Sequence, residues 1–298
     1  MKNIMLGAAP IAWSNDDLHE LGGDTPLEKC LKDMQTIGYS GTEIGNKFPS
    51  SGTAIKTLLK EYNLVLASSW YSTFFLKNAF DVEKARLETK LKQLRDAGAK
   101  NINFCECTDT VHGSIEVPLS KRPKIAESDW KKFALNMNEA GKICKGYGIQ
   151  LNYHHHMGTV IQDVQEIDRF LESTDPEHVF LCFDSGHLAF SGADPLKAWD
   201  RYASRVRHVH LKDVRKDVMK ESQTRDWSFL QSVMEGVFTV PSDGMIEFRP
   251  LVHAILHSEY SGWLLVEAEQ DPAKADPFTY AKKAFSFLAH LIEYNLHT

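Results

Sequence analysis

One phrase returns eight times along this chain and constrains its fold more than any other feature. It is a short apolar run, a polar loop, then a stretch with apolar residues three and four apart. The runs are residues 4–13, 39–45, 64–69, 101–105, 149–154, 179–183, 206–211 and 262–266. A helical pattern follows each. Leu27, Cys30, Leu31, Met34 and Ile37 follow the first, and Ile55, Leu58, Leu59 and Tyr62 the second. Segments 82–97, 129–145, 160–171, 195–201, 248–258 and 277 to about 294 follow the rest. Thr25-Pro26-Leu27-Glu28 reads as a capping box opening the first helix, and Gly38, Gly98 and Gly146 read as helix stops. Strict alternation of strand and helix implies a parallel sheet. Eight such units in 298 residues match an α/β fold, a single (β/α)8 TIM barrel. The rival is a doubly wound open sheet, which usually has fewer strands and a glycine fingerprint at its first turn. Neither G-x-G-x-x-G nor G-x-x-x-x-G-K-[ST] occurs in the chain.

No Pro/Gly linker or low-complexity tract divides the sequence, so residues 1–298 read as one domain. Two connections are long, at about 106–127 and 213–245, and both follow the C-terminal end of a strand, where a barrel builds its active site. Trp227 and Phe229 in the second suggest a short packed helix and a lid. The formal charge of −6, without basic clusters, argues against nucleic acid. No apolar stretch approaches the length of a membrane span, and the N-terminus reads as a first strand, not a secretory signal. Cys30, Cys105, Cys107, Cys144 and Cys182 lie mostly in apolar runs and read as buried residues of a reducing cytoplasm. The C-x-C pair has no second cysteine pair to complete a zinc site.

Polar residues collect where the last four strands end: LNYHHH (151–156), CFDSGH (182–187), HVHLKD (208–213) and VEAEQD (266–271). The two-residue period puts His154 and His156 on one face with His155 opposite, and likewise pairs His208 with His210 and Glu267 with Glu269. A lone histidine at a strand end is more often structural than a ligand. Several imidazoles and carboxylates at one rim repel, or are costly to bury, unless a cation joins them. The mixed nitrogen and oxygen donors suit Mn²⁺, Co²⁺, Fe²⁺ or Zn²⁺, and the absence of thiolates favours Mn²⁺ or Co²⁺. Spacing leaves open which member of each pair faces the ion. Trp13, Glu43, Trp70 and Glu106 end earlier strands and are candidates for a pocket wall. The aromatics Trp13, Trp70 and Tyr71 would either stack on the C–H face of a polyol ring or form the top of the core.

The strand ends D-S-G-H (184–187), H-V-H-L-K-D (208–213) and V-E-A-E (266–269) resemble the xylose-isomerase-like superfamily of metal-dependent TIM barrels. Over its whole length the chain also resembles the inosose dehydratase family of inositol catabolism. That match is carried by APIAWSNDD (9–17), GTEIGNKFP (41–49), TVHG (110–113), YHHHMGT (153–159) and CFDSGHLAFSG (182–192). The resemblance implies a metal held by His154, Asp184, His210 and Glu267, with His154 standing where the superfamily has Glu. That exchange keeps a ligand but changes the base, and leaves open whether His154 or His156 binds the ion. His187 and Lys212 resemble substrate-contacting positions. VPSDGMIEF (240–248) is similar to a P-G-D-G turn, with Ser242 replacing its first glycine.

The implied reaction removes water from 2-keto-myo-inositol through an enediolate, giving a trihydroxycyclohexane-1,2-dione. A base takes the α-proton and an acid protonates the departing hydroxyl. His156 or Glu267 is the expected base, and Lys212 or His187 the expected acid. Trp13, Glu43 and Trp70 are the expected substrate wall. The resemblance also implies a Mn²⁺ or Co²⁺ requirement and an association with glutathione, for which the sequence shows no site. The expected partner is a small polyol ketone, with no nucleic acid and no membrane. Self-association is common among acidic TIM barrels, though no residue here specifies it.

Four other functions compete with this one. A keto-polyol isomerase or epimerase passes through the same enediolate and differs only in product. An apurinic-endonuclease-like phosphodiesterase would need a basic face. A non-catalytic sugar binder would not need every ligand type retained. A Schiff-base aldolase would have only Lys212 to use.

Overall fold

The computed structural model describes residues 3–297. Eight parallel barrel strands are present: β1 (Ile4–Ala8), β2 (Gly41–Glu43), β3 (Val65–Ser68, resuming after Ser69 as Trp70–Thr73), β4 (Asn101–Glu106), β5 (Gln150–His154), β6 (Val179–Asp184), β7 (Val206–Leu211) and β8 (Gly262–Val266). The order around the sheet is β3 first arm, β2, β1, β8, β7, β6, β5, β4, β3 second arm. The interruption at Ser69 therefore closes the ring. One arm of β3 pairs with β2 and the other with β4, and the Ser69 carbonyl accepts from the Asn103 N–H at 2.9 Å. Helices cover the outside, and the main core fills the layer between them and the sheet. Among the described residues, no helix is long and apolar enough to cross a membrane.

Several local expectations are corrected. The first strand ends at Ala8, because Pro10 carries no N–H for a ladder and opens a 3-10 turn over Pro10–Ala12. The first helix, Leu27–Ile37, has Pro26 as its N-cap and no side-chain cap, so Thr25 stands one residue too early to close a capping box. Its stop is as expected, with Gly38 left-handed at φ 112°. The helix expected from residue 160 begins at Val164, capped by Asp163 and Glu166 in a true capping box. Residues 156–161 form a turn instead, closed by His156 N–H donating to the Ile161 carbonyl at 3.1 Å.

The barrel interior changes character from bottom to top. Lower down, Trp263 packs with Leu265 and Ala67, and Ala9 extends this apolar cluster towards the rim. Gly41 makes room for the indole, since a Cβ there would lie 2.4 Å from Trp263 Cη2. Higher up the filling is polar. Asn152 Nδ2 reaches the Asn101 and Asn103 side-chain oxygens at 3.3 and 3.4 Å, and Asn103 Nδ2 donates to Glu43 Oε1 at 2.9 Å. This ladder leads up to the histidines and carboxylates of the rim.

Both long connections lie over that rim and pack on each other. Leu119 N–H donates to the Trp227 carbonyl at 3.2 Å, and Pro118 bridges to Ser228. The second contains the helices Lys216–Arg225 and Phe229–Met234 and an antiparallel pair, Asp213–Val214 with Phe238–Thr239. Phe229, Phe238, Met157, Phe190 and Val214 form a second apolar cluster there. Ser242 does adopt a glycine-like φ of 80°, and Gly244 and Ile246 N–H groups both donate to the Asp213 carboxylate at 2.9 Å.

Candidate active site

The C-terminal ends of β5 to β8 bring the expected ligand atoms together. His154 Nε2 lies 3.1 Å from His210 Nδ1 and 3.5 Å from Asp184 Oδ2. His210 Nδ1 lies 3.6 Å from Asp184 Oδ2 and 2.9 Å from Glu267 Oε2. All four residues are buried. Asp184 Oδ2 has no hydrogen-bond partner among the described residues, although Oδ1 caps the helix Ser185–Phe190 by accepting from His187 N–H at 2.8 Å. A buried anionic oxygen without a donor is costly, and a divalent cation bounded by two imidazoles and two carboxylates removes that cost. The residues fit such an ion. Cys182 lies near the same imidazoles, but burial pushes its thiol up to about 12, so Asp184 is the anion here.

Charge is distributed to match. Burial opposes ionisation of Glu267, yet His210 and Lys212 outweigh it and pull its carboxyl down to about 2. Asp184 is likewise held well below the usual carboxylate range, with Lys212 and His187 overcoming its burial. Burial lowers His154, leaving a neutral ring with a lone pair to offer. His210 runs the other way. Burial works against its charge, but Cys182 and then the carboxylates of Glu267 and Glu43 raise it well above the ordinary histidine value, so the ring carries a proton that a bound cation would displace.

Glu43 ends β2 beside the cluster. Its Oε1 meets His208 Nε2 and His210 Nε2, each at 3.0 Å, Asn103 Nδ2 at 2.9 Å, and Ser68 Oγ. A carboxylate on one ring nitrogen fixes the orientation of the other, so Glu43 directs His210 Nδ1 towards Asp184 and Glu267. Glu43→Gln is therefore expected to weaken divalent-ion binding about 10- to 100-fold, read by titrating the stripped variant with Mn²⁺.

Above the cluster is a cavity of about 300 Å³ whose lining includes Glu43, Trp70, His156, His210, Glu267 and Glu269. Strand parity decides which of the candidate wall residues reach it. Trp70 and Ser72 face in, whereas Tyr71 faces out onto Phe104, at 5.0 Å between ring centroids. Glu106 also faces out, three residues from the inward Asn103, and is spent on Thr73 Oγ1, Phe75 N–H and Thr108. Trp13 is not part of the wall. It is buried in the core with its Nε1–H donated to Asp33 Oδ2 at 2.9 Å.

His156 and His154 do share a face, with ring centroids 5.7 Å apart, and His155 turns away to accept from the Asp184 N–H. His156 Nδ1 is 2.8 Å from the Met157 carbonyl oxygen, which can only accept. In the neutral ring Nδ1 therefore carries the proton and Nε2, 3.7 Å from Glu269 Oε1, is the nitrogen left with the lone pair. His187 and Lys212 do not line the cavity. Both are fully buried beneath Glu267 and Glu269, so they meet a substrate only through those residues.

Three further groups on the wall, Asp16, Asp17 and His112, were not singled out from the sequence. Asp17 follows β1 in an Asx turn, its N–H donating to Asn15 Oδ1 at 2.8 Å. Asp17 is exposed at the mouth of the cavity, and the protein around it and repulsion from Glu269 bring its carboxyl up to about 6. His112 stands in the first long connection, 5.3 Å from the His156 ring centroid, and burial lowers it to about 3. The signal for all three was their place in loops at the C-terminal rim.

Residues 23–291 match the family model described as a xylose isomerase-like TIM barrel. The chain is 45% identical over 299 aligned residues to inosose dehydratase of Mesomycoplasma hyopneumoniae, an alignment covering 99% of this chain and 98% of the relative. It is 42% identical to the rhizopine catabolism protein MocC of Rhizobium meliloti, over 98% of this chain and 89% of that one. Among solved structures, the IOLI protein with a bound zinc atom superposes with a TM-score of 0.67 at 13% identity, covering 98% of this chain and 97% of that one, a likeness of fold.

Proposed function

The chain belongs to the xylose isomerase-like TIM barrel family and, within it, to the inosose dehydratases, and on that premise we propose how its site removes water from 2-keto-myo-inositol. The product is a trihydroxycyclohexane-1,2-dione, which makes the enzyme a hydro-lyase. We assign His154, Asp184, His210 and Glu267 to a divalent ion, with Mn²⁺ or Co²⁺ the best match to the donors. When bound there, that ion supplies a Lewis acid for the substrate carbonyl.

His156 is the base. The Met157 carbonyl keeps its proton on Nδ1, and His156 lines the cavity, so that Nε2 would take the proton next to the carbonyl. The contact between His156 Nδ1 and the Met157 carbonyl is the observation that carries the reading. Glu267 binds the ion and, through Oε1 at 2.6 Å from Lys212 Nζ, is held as an anion. Trp70 offers its ring to one face of the substrate, and Glu43 orients His210. Lys212 and His187 are positioning residues, acting through Glu267, Glu269 and His156.

Protonation of the leaving hydroxyl falls to Asp17, whose carboxyl at about 6 is the wall group best matched to that task near neutral pH. An acid must hold its proton to act, so turnover falls as the pH rises past about 6. Asp17→Asn should lower kcat about 10²-fold and remove that falling limb, as read from kcat against pH. The Glu269, His156, Asp16 and Glu267 side chains face Asp17 and set its value.

Five buried, unpaired cysteines support a reducing compartment, for which we take the cytoplasm. The negative charge supports a small molecule and not nucleic acid as the partner.

The test is product identity. Incubated with 2-keto-myo-inositol and Mn²⁺ or Co²⁺, the protein should give the dione with loss of one water, followed by NMR. A rearranged keto-inositol of unchanged mass would move the chain to the isomerases.

A further inference from the structure

Lys212 is a fully enclosed charge and belongs to a built seat. It is fully buried, and its Nζ lies 2.6 Å from Glu267 Oε1, 3.0 Å from Glu269 Oε1, 3.1 Å from His187 Nε2 and 3.6 Å from Asp184 Oδ2. Three carboxylates and an imidazole nitrogen about one centre are the surroundings expected of a divalent cation, not of a simple ion pair. The neighbouring group His156, His187 and Glu269 also has its ligand atoms close enough to share an ion. Glu269 Oε2 is buried with no hydrogen-bond partner among the described residues.

The backbone makes room for this ammonium. Gly186 lies in the first turn of the helix after β6, and a Cβ there would come within 2.5 Å of Lys212 Cγ and 2.7 Å of Cδ. Ser185 Oγ accepts from Lys212 N–H at 3.0 Å and donates to its carbonyl at 2.8 Å. The Phe238 ring closes the far side, with Nζ 4.7 Å from its centroid. The stem is threaded, the backbone pinned and the head capped.

We propose that Lys212 is a tethered cation standing where a second metal ion would bind, and that it limits this site to one divalent ion. The proposal rests on the metal reading of the neighbouring His154–Asp184–His210–Glu267 cluster. Asp184 and Glu267 belong to both sets, so the ammonium and the ion share two anions. Without a cation at 212, the carboxylates of Asp184, Glu267 and Glu269 would be left with buried negative charge to neutralise, and a second ion, with His187 as a neutral donor, does so without rebuilding the site.

The experiment counts ions. Native protein, Lys212→Met and the double variant Lys212→Met/Glu269→Gln are equilibrated with excess Mn²⁺, freed of loose metal by gel filtration and assayed by mass spectrometry of the bound metal. The expected counts per chain are one, two and one, and Lys212→Met should also show the electron paramagnetic resonance of a coupled Mn²⁺ pair. One ion in Lys212→Met, or two in the native chain, would overturn the proposal. The native count needs no variant to fold, and Lys212→Ser repeats the variant count with a smaller neutral side chain. No ion in the native chain would instead remove the metal reading, and this inference with it.

Discussion

Asp184→Asn is expected to lower turnover by about 10³-fold or more and to strip the purified protein of its divalent ion, while leaving it folded. The two oxygens of this carboxylate do separate jobs. Oδ1 caps the helix Ser185–Phe190, and asparagine keeps an oxygen in that place and is as good an N-cap. Oδ2 is the buried oxygen without a donor, facing His154 and His210. Exchanging it for an amide removes the anion and presents N–H groups to the ion. Losing Lewis-acid stabilisation of several kcal/mol corresponds to a rate loss of that order. Metal content, kcat and Tm on one preparation check the result. A variant that keeps both ion and rate would place the ion elsewhere.

His156→Ala separates base from ligand. Turnover should fall about 10²- to 10⁴-fold, the usual contribution of a positioned general base, with metal content nearly unchanged. Exchange of the substrate's α-hydrogen with solvent deuterium should disappear with it. The reason lies in the geometry. His154 Nε2, not His156, faces His210 and Asp184, while the free nitrogen of His156 faces Glu269 and the cavity. Equal loss of metal and activity would make His156 a ligand and leave the base to Glu267.

The fold was legible because its evidence is repetitive. Each of the eight strands is short, apolar and followed by a helical pattern, so errors of a few residues at Ala8, Glu43 or Val164 did not disturb the count. The ligand cluster was legible for a related reason. His154 and Asp184 end their strands, His210 stands one residue before the end of its own, and Glu267 follows immediately, where the two-residue period still sets side-chain direction. The same parity would have excluded Glu106 and Tyr71, whose neighbours Asn103 and Trp70 face inward.

Depth was not legible. Lys212 and His187 carry the right chemistry at the right strand ends but sit beneath the carboxylates that separate them from the cavity. Nor was the role of Glu43, which meets His208 and His210 across 165 and 167 residues of chain. Asp17 and His112 lie in loops, where no period reports direction. Trp13 lies just past Pro10, whose missing N–H ended the strand that would have aimed it.

In the proposed reaction one bound divalent ion and His156 together carry out the dehydration. The most direct measurement strips the protein with a chelator, returns Mn²⁺ or Co²⁺ in steps, and follows bound metal and dione formed from 2-keto-myo-inositol on the same samples. No dione is expected from stripped protein, and the rate should climb with bound ion to a plateau at one per chain. Undiminished dione formation by the stripped protein would contradict that expectation.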